Sequence, residues 1–154
     1  MELRFVTAKS PDFAMLTQRL DAYYFELVGA VHKRYAAMNR PENFACLAVV
    51  YEHHLPIACG CWKQIDAVTA EIKRIYVLPE HRRKGAATMI VRTLEDNAAA
   101  AGVRRVVLET ARTTPDSEAL YLSLGYRRID YYGSPAGAEN CLCFDKELAP
   151  PCLL

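Results

Sequence analysis

The chain has 154 residues, 52% hydrophobic and 24% charged, with a formal net charge of +1. That length closes one sizeable core, and 1–154 reads as a single domain. The balanced charge excludes a chain-wide basic surface for nucleic acid, so any phosphate recognition has to be local.

The opening MELRFVTAKSPDF is charged throughout and lacks a long apolar run or a small-residue cleavage pattern. It predicts no signal peptide and a cytoplasmic location. No apolar run approaches a membrane span. Residues 3–8, LRFVTA, read as a short strand. SPDFAMLTQRLDAYYFELVG reads as a helix with Ser10 as N-cap, Pro11 at the first helical position and Gly29 as its stop. A second short helix is expected over AVHKRYAAM. It ends before NRPEN, where Pro41 restricts Arg40.

FACLAVVY and PIACGCWKQ are apolar runs joined by EHHL, a hairpin signal, and AEIKRIYVL is the next strand. GAATMIVRTLEDNAAAAG is an alanine-rich helix closed by Gly102. RRVVLETA is a strand with a buried centre. TPDSEALYLSLG is a helix with Thr114 at its cap, Pro115 in its first turn and Gly125 at its end. YRRI and CLCFDKEL complete the sheet, with the loop DYYGSPAGAEN between them. The strand-helix-strand crossover in the middle makes one central pair parallel.

There are six cysteines, and two pairs have C-x-C spacing: Cys59 with Cys61, and Cys141 with Cys143. Within a strand that spacing puts both sulfurs on one face. A zinc site calls for C-x-x-C pairs or histidines at matching intervals, which His53, His54 and His81 do not supply. The cysteines are therefore expected to be reduced thiols packed as small hydrophobes, with no metal.

The stretch YVLPEHRRKGAAT joins a strand to the long helix. It contains neither G-x-G-x-x-G nor G-x-x-x-x-G-K-[ST], so the two common glycine-rich phosphate loops are absent. It does contain R-x-x-G-x-A, as Arg82, Gly85 and Ala87. A helix start offers unpaired backbone N–H groups and the positive end of the dipole. Small residues let a ligand approach that backbone, and Arg82, Arg83 and Lys84 add positive charge. The pattern suits a pyrophosphate.

IYVLPEHRRKGAATMIVRTLEDNAAAAG resembles the acetyl-CoA-binding segment of the GNAT N-acetyltransferase superfamily, with its [RQ]-x-x-G-x-[GA] signature. EALYLSLGYRRI resembles the family's second signature, A-L-Y-x-x-x-G-[FY]. The likeness spans about residues 44–148. It implies an α/β GNAT fold: a mixed central sheet of about six or seven strands, antiparallel in its N-terminal half, with one parallel central pair and about four flanking helices. It implies acetyl-CoA as cosubstrate, with coenzyme A as product. Arg82, Arg83, Lys84, Gly85, Ala86, Ala87 and Thr88 would hold the pyrophosphate. The backbone of Ile75, Tyr76 and Val77 would pair with the pantetheine arm like an added strand.

Acetyl transfer from a thioester to an amine needs a base for the amine, a donor for the carbonyl oxygen and a proton for the leaving thiolate. Tyr121 matches the family's tyrosine acid. A phenol titrates close enough to a thiol for that role. Glu71 and Glu109 both fit the base. Each lies on a central strand, each matches a base position in some family members, and each has a salt bridge as its plain structural reading. A water relay is the third route, and the sequence leaves all three open. Many members place asparagine where this chain has Thr114, so the resemblance carries no cofactor contact to that residue.

The resemblance puts the acceptor among the first two helices and the loop before the last strand. Tyr23, Tyr24, His32, Arg34, Tyr35, Tyr131 and Tyr132 lie there. Aromatics with a few polar groups suit a small-molecule pocket, although packing or surface exposure explains each of these residues, taken singly, better than ligand contact does. The expected acceptor is a small primary amine or amino acid, with a homodimer left open. The rival readings are an acyl-CoA-binding regulatory module without catalysis and an acetyltransferase of protein N-termini or lysines.

Overall fold

A computed structural model describes residues 1–28, 39–112, 114–133 and 141–150. Outside them lie the short helix expected over AVHKRYAAM, Gly29, His32, Arg34, Tyr35, Cys152 and most of the loop DYYGSPAGAEN. The elements are β1 (Glu2–Val6), α1 (Pro11–Val28), β2 (Cys46–Glu52), β3 (Leu55–Gln64), β4 (Thr69–Val77), α2 (Ala86–Ala100), β5 (Arg105–Ala111), α3 (Pro115–Ser123), β6 (Arg127–Ile129) and β7 (Cys141–Glu147). The strands form one seven-stranded sheet in the order β1-β2-β3-β4-β5-β7-β6. β4 and β5 are parallel and every other pair is antiparallel.

Local chemistry sets the element ends. β1 stops at Val6 rather than at residue 8. The Thr7 carbonyl accepts from the Ser10 amide at 3.0 Å, and its hydroxyl accepts from the Lys9 amide. Ser10 caps α1 as expected, its Oγ accepting from the Phe13 amide at 3.2 Å. The β2–β3 hairpin turns on His53 and His54, both left-handed at φ 50° and 66°. Two left-handed residues match the twist of a two-residue hairpin, a place more often taken by Asn-Gly.

The sheet is covered on both faces. α1 lays Phe13, Leu16 and Leu20 on Leu47, Val49, Cys59 and Cys61. On the other face, α2 and α3 bury Ile90, Val91, Leu94 and Tyr121 against Val50, Ala58, Ile72, Leu108 and Phe144. Gly60 makes the close fit of α2 possible. A Cβ there would sit 2.5 Å from Ile75 Cδ1 and 2.6 Å from Ile90 Cγ2.

One irregularity positions the site. Between the pairs Cys59↔Tyr76 and Cys61↔Lys73, Arg74 and Ile75 of β4 oppose Gly60 alone. This is a bulge, with Arg74 at φ 60°. The thiols of Cys59 and Cys61 donate to the carbonyls of Arg74 and Lys73 at 3.4 and 3.3 Å. The Arg74 guanidinium turns into α1, donating to Thr17 O at 3.1 Å and Asp21 Oδ1 at 2.8 Å. Bulges bend and twist the strand that carries them. Pairing of β4 with β5 covers Thr69 to Glu71 and does not continue past Glu71↔Val107. The strands part there.

Candidate active site

A cleft of about 610 Å³ opens where β4 and β5 separate. Its walls are Ile72–Val77 of β4, Glu109 and Thr110 of β5, the start of α2, the face of α3 bearing Tyr121, and Tyr23 and Tyr24 of α1. It lies between the carboxyl-terminal halves of two parallel strands, at the end of the sheet where open α/β sheets bind ligands.

The basic loop forms one lip. Gly85 is the N-cap of α2 with φ 89°, and the first helical bond is Met89 N to Gly85 O at 3.0 Å. The amides of Ala86, Ala87 and Thr88 therefore start the helix without partners in its ladder, and all three residues line the cleft. A Cβ on Gly85 would meet nothing within 4 Å, so its left-handed φ explains the glycine and crowding does not. The three cations go different ways. Arg82 folds back, its Nε donating to Val77 O at 3.0 Å, with its guanidinium 5.6 Å from the Tyr23 ring and 5.8 Å from the Tyr76 ring. Arg83 reaches across to Asp116 Oδ2 at 3.2 Å, an exposed pair bridging the loop and α3. Lys84 is exposed and lies outside the cleft lining.

The second signature is a helix stop with a defined geometry. Gly125 at φ 91° follows α3. Its amide bonds Leu122 O at 3.2 Å, and the Tyr126 amide bonds Tyr121 O at 3.0 Å. These two bonds are a Schellman motif, which brings the residues at its ends into contact. Here those residues are Tyr121 and Tyr126, packed edge to face at 5.7 Å, with Phe144 at 6.0 Å from Tyr121. Burial pushes the Tyr121 phenol well above its ordinary range, away from the thiol match expected from sequence. Thr114 stands at the cap position of α3, but its hydroxyl donates back to Ala111 O at 2.8 Å and makes no cap bond. It lines the cleft beside Pro115.

The two candidate carboxylates are brought together on the sheet face away from α2 and α3. Glu109 lines the cleft, and Cys141 Sγ donates to its Oε1 at 3.5 Å. Burial raises the Glu109 carboxyl above the usual range, the Cys141 thiol opposes this, the Glu71 charge adds to it and the Lys73 charge opposes it. Glu71 is buried just outside the lining. Its Oε2 accepts from the Tyr132 hydroxyl at 2.6 Å, and its Oε1 lies 3.5 Å from Lys73 Nζ. Of the acceptor-side tyrosines, Tyr23 and Tyr24 line the cleft and Tyr132 stands behind Glu71, while Tyr131 lies next to it in the chain.

Sequence reasoning missed Cys141 as a neighbour of Glu109. Period-2 alternation on β7 was the available signal, since Cys141 and Cys143 share the face of the paired residue Glu109. Cys46, Cys59, Cys61 and Cys143 are buried thiols, whereas Cys141 is half-buried. Among the described residues no cluster of three or more His, Cys, Asp or Glu side chains is arranged to hold a metal, and no helix is long and apolar enough to cross a membrane.

The chain belongs to the acetyltransferase (GNAT) family, whose model matches residues 12–126. The uncharacterized N-acetyltransferase YjgM of Escherichia coli K12 is 34% identical over 71 residues, which are 46% of this chain and 42% of that protein. The chain thus matches less than half of that relative's length. A Klebsiella pneumoniae structure provisionally described as an acyl-CoA N-acyltransferase superposes with a TM-score of 0.80 at 20% identity, covering 96% of this chain and 97% of the other. A GNAT family acetyltransferase of Elizabethkingia anophelis, solved with acetyl-CoA bound, gives 0.70 at 21% identity over 96% and 97%. These likenesses show the fold, a mixed seven-stranded sheet with one parallel pair.

Proposed function

We propose that the chain transfers an acetyl group from acetyl-CoA to a primary amine of a small molecule or amino acid by direct attack on the thioester. The N–C bond forms, the C–S bond breaks, and coenzyme A leaves. The observation that carries this reading is that Glu109, Tyr121 and the first turn of α2 line one cleft. The residues present fit the donor. The amides of Ala86, Ala87 and Thr88, with Arg83 beside them, suit a pyrophosphate. The side of Ile75–Val77 released from β5 suits a pantetheine arm paired like a strand. The Glu71–Glu109 carboxylates supply the base. A phenol raised by burial stays protonated at neutral pH, so Tyr121 acts by donating a hydrogen bond to the departing sulfur.

Release of free thiol from acetyl-CoA across a panel of small primary amines tests the reading. Tyr121→Phe is expected to lower kcat by about 10²-fold with coenzyme A affinity retained. Tight coenzyme A binding without thiol release on any amine would overturn the reaction and leave a binding module.

A further inference from the structure

The two carboxylates of the site differ in what already holds them. Both oxygens of Glu71 are engaged, one by the Tyr132 phenol at 2.6 Å and one by the Lys73 ammonium at 3.5 Å. A hydrogen bond to an ionised carboxylate at that length is charge-assisted and strong. Glu71 does not line the cleft. Glu109 does line it, and the contact to its Oε1 is a thiol at 3.5 Å, a weak donor that yields to a better one.

We propose that Tyr132 is a positioning residue: together with Lys73 it fixes the Glu71 carboxyl in place within the sheet, and Glu109 takes the proton of the acceptor amine. This rests on the reading of the chain as an amine acetyltransferase. Among the described residues, the groups facing Glu109 are Glu71 and Lys73 on β4, Cys141 and Cys143 on β7, Tyr24 on α1, and Tyr132 on the loop after β6. Burial and the Glu71 charge raise the Glu109 carboxyl, so activity rises with pH through a limb above the ordinary glutamate range. Without the phenol, only the 3.5 Å contact to Lys73 restrains the Glu71 carboxyl, and its charge is held less firmly against Glu109. The base weakens and the limb moves to lower pH.

The pH profile of kcat/KM for three variants tests this. Glu109→Gln is expected to remove the limb and lower kcat by about 10²-fold or more. Glu71→Gln and Tyr132→Phe are expected to keep a limb, displaced to lower pH, with kcat down about tenfold and coenzyme A affinity unchanged. Loss of the limb in Glu71→Gln with its survival in Glu109→Gln would overturn the proposal, as would a Tyr132→Phe profile identical to wild type. Carboxyl-carbon NMR of labelled glutamates reads the same coupling without turnover. The Glu109 signal should titrate above the ordinary range in the wild type and lower in Tyr132→Phe, and an unmoved Glu109 would again overturn it. A moved Glu109 in a protein that releases no thiol would instead overturn the reaction and leave the coupling standing.

Discussion

Tyr121 and Tyr126 meet edge to face, 5.7 Å apart, and Gly125 between them makes the meeting possible. The Cβ of an alanine at 125 would lie 3.6 Å from Lys146 Cε, an ordinary contact, so the obstacle to substitution is φ 91° rather than space. Gly125→Ala should cost about 1–2 kcal/mol for the left-handed backbone. A lower urea midpoint at unchanged m-value would report it. Because Tyr121 sits at the end of α3, the same change should lower kcat; full stability with full activity would show that the helix stop does not position the tyrosine.

Gly60 presents the opposite case. Its φ is ordinary, but a Cβ would come within 2.6 Å of two isoleucine side chains. Gly60→Ala should destabilise by about 1–3 kcal/mol, the usual range for overpacking. One clash is with Ile75 Cδ1, an atom that valine lacks. The double variant Gly60→Ala/Ile75→Val should recover part of the loss, giving a non-zero interaction energy in a double-mutant cycle. Strict additivity would place the strain elsewhere.

Acetyl-CoA at a hundred times its Kd should stabilise the protein by about 2.7 kcal/mol if it binds the folded chain alone, visible as a rise in melting temperature. Absence of any rise at saturation would remove the donor assignment. Gly85→Ala should weaken coenzyme A binding through the loop conformation. Arg83→Ala should weaken it through charge, the more so at low salt. Arg83 pairs with Asp116 while 82% exposed, so its loss should leave stability within about 0.5 kcal/mol. Calorimetric titrations at two salt concentrations separate the two effects.

Asp145 is 2% exposed and bridges Arg127 at 2.7 Å and Arg105 at 2.9 Å. The Arg127 hydrogen bond, then that of Arg105, hold its carboxyl below the usual aspartate range against the cost of burial. A group depressed in the folded state stabilises it above the unfolded value, about 3.9, and loses that contribution as pH falls from there through the folded value. Wild type should therefore lose melting temperature in that acidic window. Asp145→Asn should be less stable at pH 7 and should lose less on acidification; parallel curves for the two proteins would sink the assignment.

Much of this was legible in residue order. Ser10 with Pro11, Gly85, Gly102 and Gly125 mark helix ends, because caps and left-handed positions depend on the local backbone. The spacing of Cys59 and Cys61 predicts a shared face, and both thiols lie on the α1 side, where they serve the carbonyls of the bulge. The bulge itself has no local signature. Arg74 is an unremarkable strand residue in sequence, and it holds φ 60° with α1 and β3 satisfying the groups around it.

The order β5-β7-β6 was equally out of reach, since strand neighbours are chosen by which faces can be buried together. The sequence by itself determined the elements, the phosphate-type helix start and the two family signatures, all of which depend on residues within a few positions of each other. Only the tertiary structure decided that Tyr132 bonds Glu71 while Cys141 bonds Glu109. It also decided that Glu109 faces the cleft and that Arg82, on the same lining, turns toward the Tyr23 ring of α1. Those relations join residues far apart in the chain, and they arise where a bulged strand parts from its neighbour and other elements pack against the gap.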